Sequence, residues 1–354
     1  MTQISENDLN EMAGLAIRYS EQGQMKKAEE MFSTFLTHYG KKHGTMNHEY
    51  GSAVQRLAMI YEAMGEMEKA EECYLNSMEI AKNVHGEESR DYATGLYNLA
   101  DYYKNQNNIE KAVSLLEESL KIRRKVLGKN HHECAASLNN LAMIYDDYYK
   151  DFEKAETFFD DALEVIESCY GKEHIEFTKM AYNLAVSCRA NNKLEKSESL
   201  LNHCLKYTPQ NHYVFAHSLN EMAFLCMDTG RYEDAEKYSL QDLEHTEKNM
   251  GKDHPEYAVS LGTLAGLYEK SGQTDKALQT YESLLKIIEK NVGKNHPNYA
   301  ISLYNIGKLY ENSEQTDKAL QVYESLLKII QNNAGTNHPF YIEIDERIGK
   351  LGGK

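Results

Sequence analysis

The chain has no tryptophan, only four prolines, and fewer basic than acidic residues, 39 against 55. It also lacks any run of about 18 apolar residues, so no segment reads as a membrane span. The formal charge of −16 argues against a nonspecific nucleic-acid binder, which needs a basic footprint to displace counterions. It equally disfavours docking on an anionic lipid surface. The opening MTQISENDLNEMAG carries neither a basic n-region nor an apolar h-region, so no secretory signal is read and a cytoplasmic location is expected. Six cysteines show no C-x-x-C pair and no disulfide-framework spacing, which fits a reducing compartment.

Chemical motifs are missing too. There is no G-x-x-x-x-G-K-S/T, no H-E-x-x-H, no G-x-S-x-G and no glycine-rich dinucleotide loop, so no enzyme and no cofactor are expected. The densest cluster of metal-ligand types is HHEC at 131–134. His recurs in the same connector slot at 174, 212, 254, 296 and 338, however, which makes it a cap and connector residue and gives an expectation of no metal.

What the chain does contain is itself, repeated. QTDKALQTYESLLKII at 273–288 returns as QTDKALQVYESLLKII at 315–330. The anchor Leu-Ala-x-x-Tyr, a turn, then Lys-Ala can be followed in both directions from there. Its first slot holds Leu15, Leu57, Leu99, Leu141, Leu184, Met222, Leu264 and Ile306, in steps of 42 broken by one of 43 and one of 38. Such a period marks an array of supersecondary units. Each repeat reads as two helices. Leu96, Leu99, Ala100 and Tyr103 stripe the first, and Ala277, Tyr281, Leu284, Leu285 and Ile288 the second. Gly23, Gly65, Gly230 and Gly272, with Asn107 and Asn192, mark the turn between them. Gly-x-x-His-Pro closes three repeats in full, at 251–255, 293–297 and 335–339, and decays to GKNHH at 128–132 and GKEHI at 171–175. All four prolines lie in the connectors between repeats.

Helix pairs with L-A-x-x-Y, a turn Gly, K-A-x-x-x-Y and G-x-x-H-P resemble tetratricopeptide repeats, in the 42-residue variety of kinesin light chains and bacterial multi-repeat proteins. The resemblance implies an all-α, right-handed α-α superhelix of about eight repeats. Their expected bounds are near 7–48, 49–90, 91–132, 133–175, 176–213, 214–255, 256–297 and 298–339, with a capping helix at 340–351. A single solenoid over 7–351 is expected, between tails 1–6 and 352–354.

The resemblance also places the first helices on the concave side and implies a non-catalytic scaffold or adaptor that binds a peptide or helical segment there. The alternative is a regulatory subunit or peptide sensor whose superhelix changes shape on binding and controls a separate effector. A monomer is expected, with a homo-oligomer as the alternative. Asn recurs just before Leu-Ala as Asn98, Asn140, Asn183 and Asn305, with Asn139 and Asn220 one residue earlier in their repeats. Its amide can hold a peptide main chain without reading sequence. Tyr97, Tyr182 and Tyr304 each precede one of these asparagines, and Asp101 and Lys179 add charge to the same face. These eleven residues form the expected groove, with Asn140 and Asn183 expected to be exposed on it.

Overall fold

The computed structural model describes residues 5–353. Among them there are seventeen helices and no strand. First helices α1 (Glu6–Glu21), α3 (His48–Ala63), α5 (Arg90–Asn105) and α7 (His132–Asp147) alternate with second helices α2 (Met25–His43), α4 (Met67–His85), α6 (Ile109–Leu127) and α8 (Phe152–Tyr170). The alternation continues through α9 (Ile175–Ala190), α10 (Leu194–Tyr207), α11 (Tyr213–Asp228), α12 (Tyr232–Met250), α13 (Pro255–Lys270), α14 (Thr274–Val292), α15 (Pro297–Asn312), α16 (Thr316–Ala334) and a last helix α17 (Pro339–Leu351). The chain divides into two compact units, Met1–Asn183 and Leu184–Lys354, and the division falls within α9.

The punctuation read in the sequence ends the helices. Asn107 and Asn192 sit in the left-handed region at φ 59° and 61°, where an L-residue other than glycine or asparagine is costly. Lys150 and Glu314 adopt the same conformation in their turns, at φ 55° and 59°. The connector histidines work as N-caps. The Nδ1 atoms of His131, His174, His212, His254, His296 and His338 each accept a hydrogen bond from the backbone N–H two residues on, at 3.2–3.3 Å. That satisfies one donor the first helical turn would otherwise leave open. Pro255, Pro297 and Pro339 follow as the first helical residue, where the missing N–H costs nothing.

The apolar stripes are inside: Leu96, Leu99, Ala100 and Tyr103 are all buried, as are Ala277, Tyr281, Leu284 and Ile288, while Leu285 at the edge of its stripe is half-buried. Tyrosine hydroxyls join α3, α5 and α13 each to the second helix of the preceding repeat. Tyr61 donates to Glu29 at 3.2 Å, Tyr103 to Glu71 at 2.6 Å and Tyr268 to Glu236 at 2.8 Å. Burial, then the neighbouring Glu71, pushes the Tyr103 hydroxyl up to about 12. Burial and Glu236 do the same for Tyr268, also to about 12. Both therefore remain donors across the physiological range. Cys188 and Cys226 occupy the buried slot of this tyrosine in their own repeats, and burial raises the Cys226 thiol to about 11.

Both irregular steps have local structural causes. The turn between α7 and α8 runs from Tyr148 to Asp151, one residue longer than the others. Helix α10 has 14 residues where α12 has 19. In α17, Ile344 is buried while Asp345 is exposed, as suits the outer side of a terminal helix.

Candidate functional site

Successive first helices lie side by side within each unit, and the asparagine ladder runs across their joints. In the first unit the amides mostly bond to the neighbouring helix. Asn140 Nδ2 donates to the Tyr97 hydroxyl at 3.1 Å, joining α7 to α5. Asn183 Nδ2 donates to Asn139 Oδ1 at 3.0 Å, joining α9 to α7. The expectation that Asn140 is exposed is corrected: it is 8% exposed, because the facing helix and the Tyr97 ring cover it. Asn183 is half-buried. Tyr97 is itself held under the Arg123 guanidinium, 4.7 Å from its ring centroid, and burial raises its hydroxyl above the usual pKa.

Asn98 differs. Its Nδ2 is buried and has no partner among the described residues. It lines a shallow groove with Glu62, Tyr74 and Asp101. Tyr74 there donates to Glu62 at 2.9 Å, and Lys104 pairs with Asp101 at 2.6 Å. Lys179 pairs with Glu176 one helical turn earlier, at 3.1 Å. Asn98 is thus the ladder member with a donor still to place.

In the second unit Asn220 Oδ1 accepts from the Thr263 hydroxyl at 2.9 Å, and Asn305 Nδ2 donates to the Tyr281 hydroxyl at 3.1 Å. Tyr304 lies against α17, donating to Glu343 at 2.8 Å and accepting from Arg347 at 3.3 Å.

Asn305 also stands on the wall of a recess that the sequence reading missed. Helices α13 and α15 form its sides and α14 its floor, with a volume of about 350 Å³. Its lining is mostly apolar, including Val259, Leu284, Ile287, Val292 and Ile301. Val259, Val292 and Ile301 are 49%, 56% and 53% exposed. The available signal was Val259 and Ile301, one period apart on the face opposite the buried stripe. An apolar recess with a few polar groups on its wall is the usual form of a ligand-anchoring pocket.

Residues 52–125, 106–148, 214–290 and 264–332 match one tetratricopeptide repeat profile, and 134–176 match a second. The chain belongs to the tetratricopeptide repeat family. Proteins of this family bind protein partners and are generally non-catalytic scaffolds. Among solved structures, a candidate kinesin light chain of Podosopora anserina with nearly identical TPR-like repeats is 22% identical. That match has a TM-score of 0.51 over 58% of this chain and 98% of that one. A singly substituted form of that same protein is 23% identical, with a TM-score of 0.50 over 56% and 94%. PilW, a widely conserved type IV pilus biogenesis factor, is 17% identical with a TM-score of 0.50 over 69% and 94%. At these identities the likeness shows the fold alone. No curated protein matches the chain significantly. No helix among the described residues is long and apolar enough to cross a membrane.

Proposed function

We propose that the protein is a non-catalytic cytoplasmic adaptor that holds a segment of a protein partner along the face formed by its first helices. The apolar recess between α13 and α15 carries this reading. Three half-exposed aliphatic side chains converge there with Asn305 on one wall, in a chain with a formal charge of −16. An aliphatic or aromatic side chain of the partner fills the recess and supplies most of the binding energy, as buried anchors do in protein interfaces. The charge of −16 favours a segment with basic residues beside that anchor, through faster encounter and better register. In the first unit Asn98 lines a shallow groove, and a turn of its amide would bring the unplaced, buried Nδ2 to a main-chain carbonyl of a bound segment.

Photo-crosslinking tests this reading. A photoreactive residue at Ile301 is expected to capture a protein whose crosslinked peptide contains a large apolar side chain. The same probe at Leu240, exposed on second helix α12, is expected to capture nothing in common with it. Equal labelling from both positions, or labelling from Leu240 alone, would move binding off the first-helix face.

A further inference from the structure

The recess at α13–α15 has a counterpart in the first unit, between α3 and α5 over α4. It has a volume of about 190 Å³ and includes His48, His85 and Asp91. These three stand 207 positions before Pro255, Val292 and Asn298, which line the apolar recess. The backbone frame is therefore shared, and different side chains change its chemistry: Ser52, His85 and Thr94 stand where Val259, Val292 and Ile301 form the apolar wall, and His48 and Asp91 where Pro255 and Asn298 stand. Where one recess presents an apolar wall, the other presents two imidazoles and a carboxylate.

The geometry gathers their candidate ligand atoms. His48 Nδ1 lies 3.3 Å from Asp91 Oδ2, and His85 Nε2 lies 3.1 Å from the same oxygen. The three candidate ligand atoms all fall within 4.8 Å of one another. Ligand atoms at zinc distances of about 2.0–2.2 Å in a tetrahedron stand roughly 3.3 Å apart. Two of the three separations already have that value. The third needs only a rotation of imidazoles that are half-exposed, His48 at 55% and His85 at 34% of the side chain.

We propose that His48, His85 and Asp91 bind one divalent transition-metal ion of the zinc type and so tie α3, α4 and α5 together. Two imidazole nitrogens and one carboxylate oxygen are borderline ligands suited to Zn²⁺ rather than Mg²⁺ or Ca²⁺, which take oxygen shells. Water fills the fourth position on the open side of the recess. The positive ends of α3 and α5 oppose a cation, while His85 sits at the negative end of α4 and Asp91 supplies a full charge.

The next two repeats do not assemble this set. The equivalent positions one repeat later are Arg90, Leu127 and Glu133, and Arg90 fills the gap by pairing with Glu133 at 2.7 Å. One repeat further on they are His132, Tyr170 and Glu176. The neighbouring trio His131, His132 and Glu133 also brings ligand types together. There His131 Nδ1 is spent on the helix cap, and Glu133 is held by Arg90 and Arg123.

The test is a zinc titration of the full chain, free of any histidine tag and stripped with chelator, followed by calorimetry and by ¹⁵N spectra of the imidazoles. Expected are one zinc per chain and metal-dependent shifts of the His48 and His85 ring nitrogens. Zinc also raises Tm, since the assembled site binds it more tightly than the scattered histidines and cysteines of the unfolded chain. His85→Gln and Asp91→Asn are expected to weaken zinc by about ten-fold or more, while His132→Gln leaves it unchanged. The imidazole spectra need no substitution, so they decide the matter even if a variant fails to fold. No zinc uptake, ring shifts at other histidines only, or equal affinity in His85→Gln and the unmodified chain would overturn the proposal.

Discussion

At the scale of single residues, Asp242 is the side chain least at home. It is 3% exposed, in a core slot that later repeats fill with Leu284 and Leu326 and earlier ones with Ser77 and Ser119. Burial raises its carboxyl from 3.8 to about 6, against the opposing effects of Ser260, His245 and His217. Below the unfolded value both states hold the proton, and nothing is lost. As pH rises towards the folded value, the folded state holds more protons than the unfolded one, so stability falls until that value is passed. The two-unit gap corresponds to about 3 kcal/mol. Asp242→Asn is therefore expected to exceed the native chain in stability by up to about 3 kcal/mol at pH 7.5 and by little at pH 3.5. Urea unfolding at both values checks this, and a difference independent of pH would refute it. Asn140→Ala should act in the opposite direction. It removes a buried donor from the Tyr97 hydroxyl, at a cost of about 1–2 kcal/mol, readable by the same unfolding experiment. The sequence placed Asn140 in its slot correctly but not its burial. Exposure there depends on how closely α5 packs on α7, which helical periodicity does not encode.

At the scale of elements, the 42-residue register made helix pairs, turns and caps legible, because each is set locally by stripe, left-handed turn residue and N-cap. The turn conformations of Lys150 and Glu314 were not legible, since neither residue favours them; packing on both sides imposes the turn. Tight helix–helix approach shows best at Gly307, which occupies the slot of Ala58, Ala100 and Ala265. A Cβ at Gly307 would come within 2.3 Å of the Tyr323 ring, and Tyr323 is fully buried. Gly307→Ala is thus expected to destabilise α15–α16 by about 1–3 kcal/mol through overpacking, despite its better helix propensity. Local amide exchange measures it, and faster exchange should concentrate in α15, α16 and α17. Unchanged exchange there would mean that the tyrosine moves aside freely.

At the scale of the whole molecule, repetition supplies a frame, and departures from it supply the chemistry. Two recesses built on equivalent positions hold an apolar wall in one unit and two imidazoles with a carboxylate in the other. Neither was legible beforehand. Val259, Val292 and Ile301 are single apolar residues on separate polar faces, and only the packing of α13, α14 and α15 brings them together. The asparagine ladder, by contrast, was legible as a pattern, yet most of its amides join neighbouring helices. The central claim is that the apolar recess anchors a protein partner. Its most direct measurement is calorimetric titration of the crosslinked partner segment into the native chain and into Val259→Glu/Ile301→Glu, with thermal melting alongside. Both side chains are half-exposed, so melting should hardly change, while affinity should fall by about 100-fold, roughly 3 kcal/mol. Unchanged affinity in a chain that still melts like the native one would contradict the account.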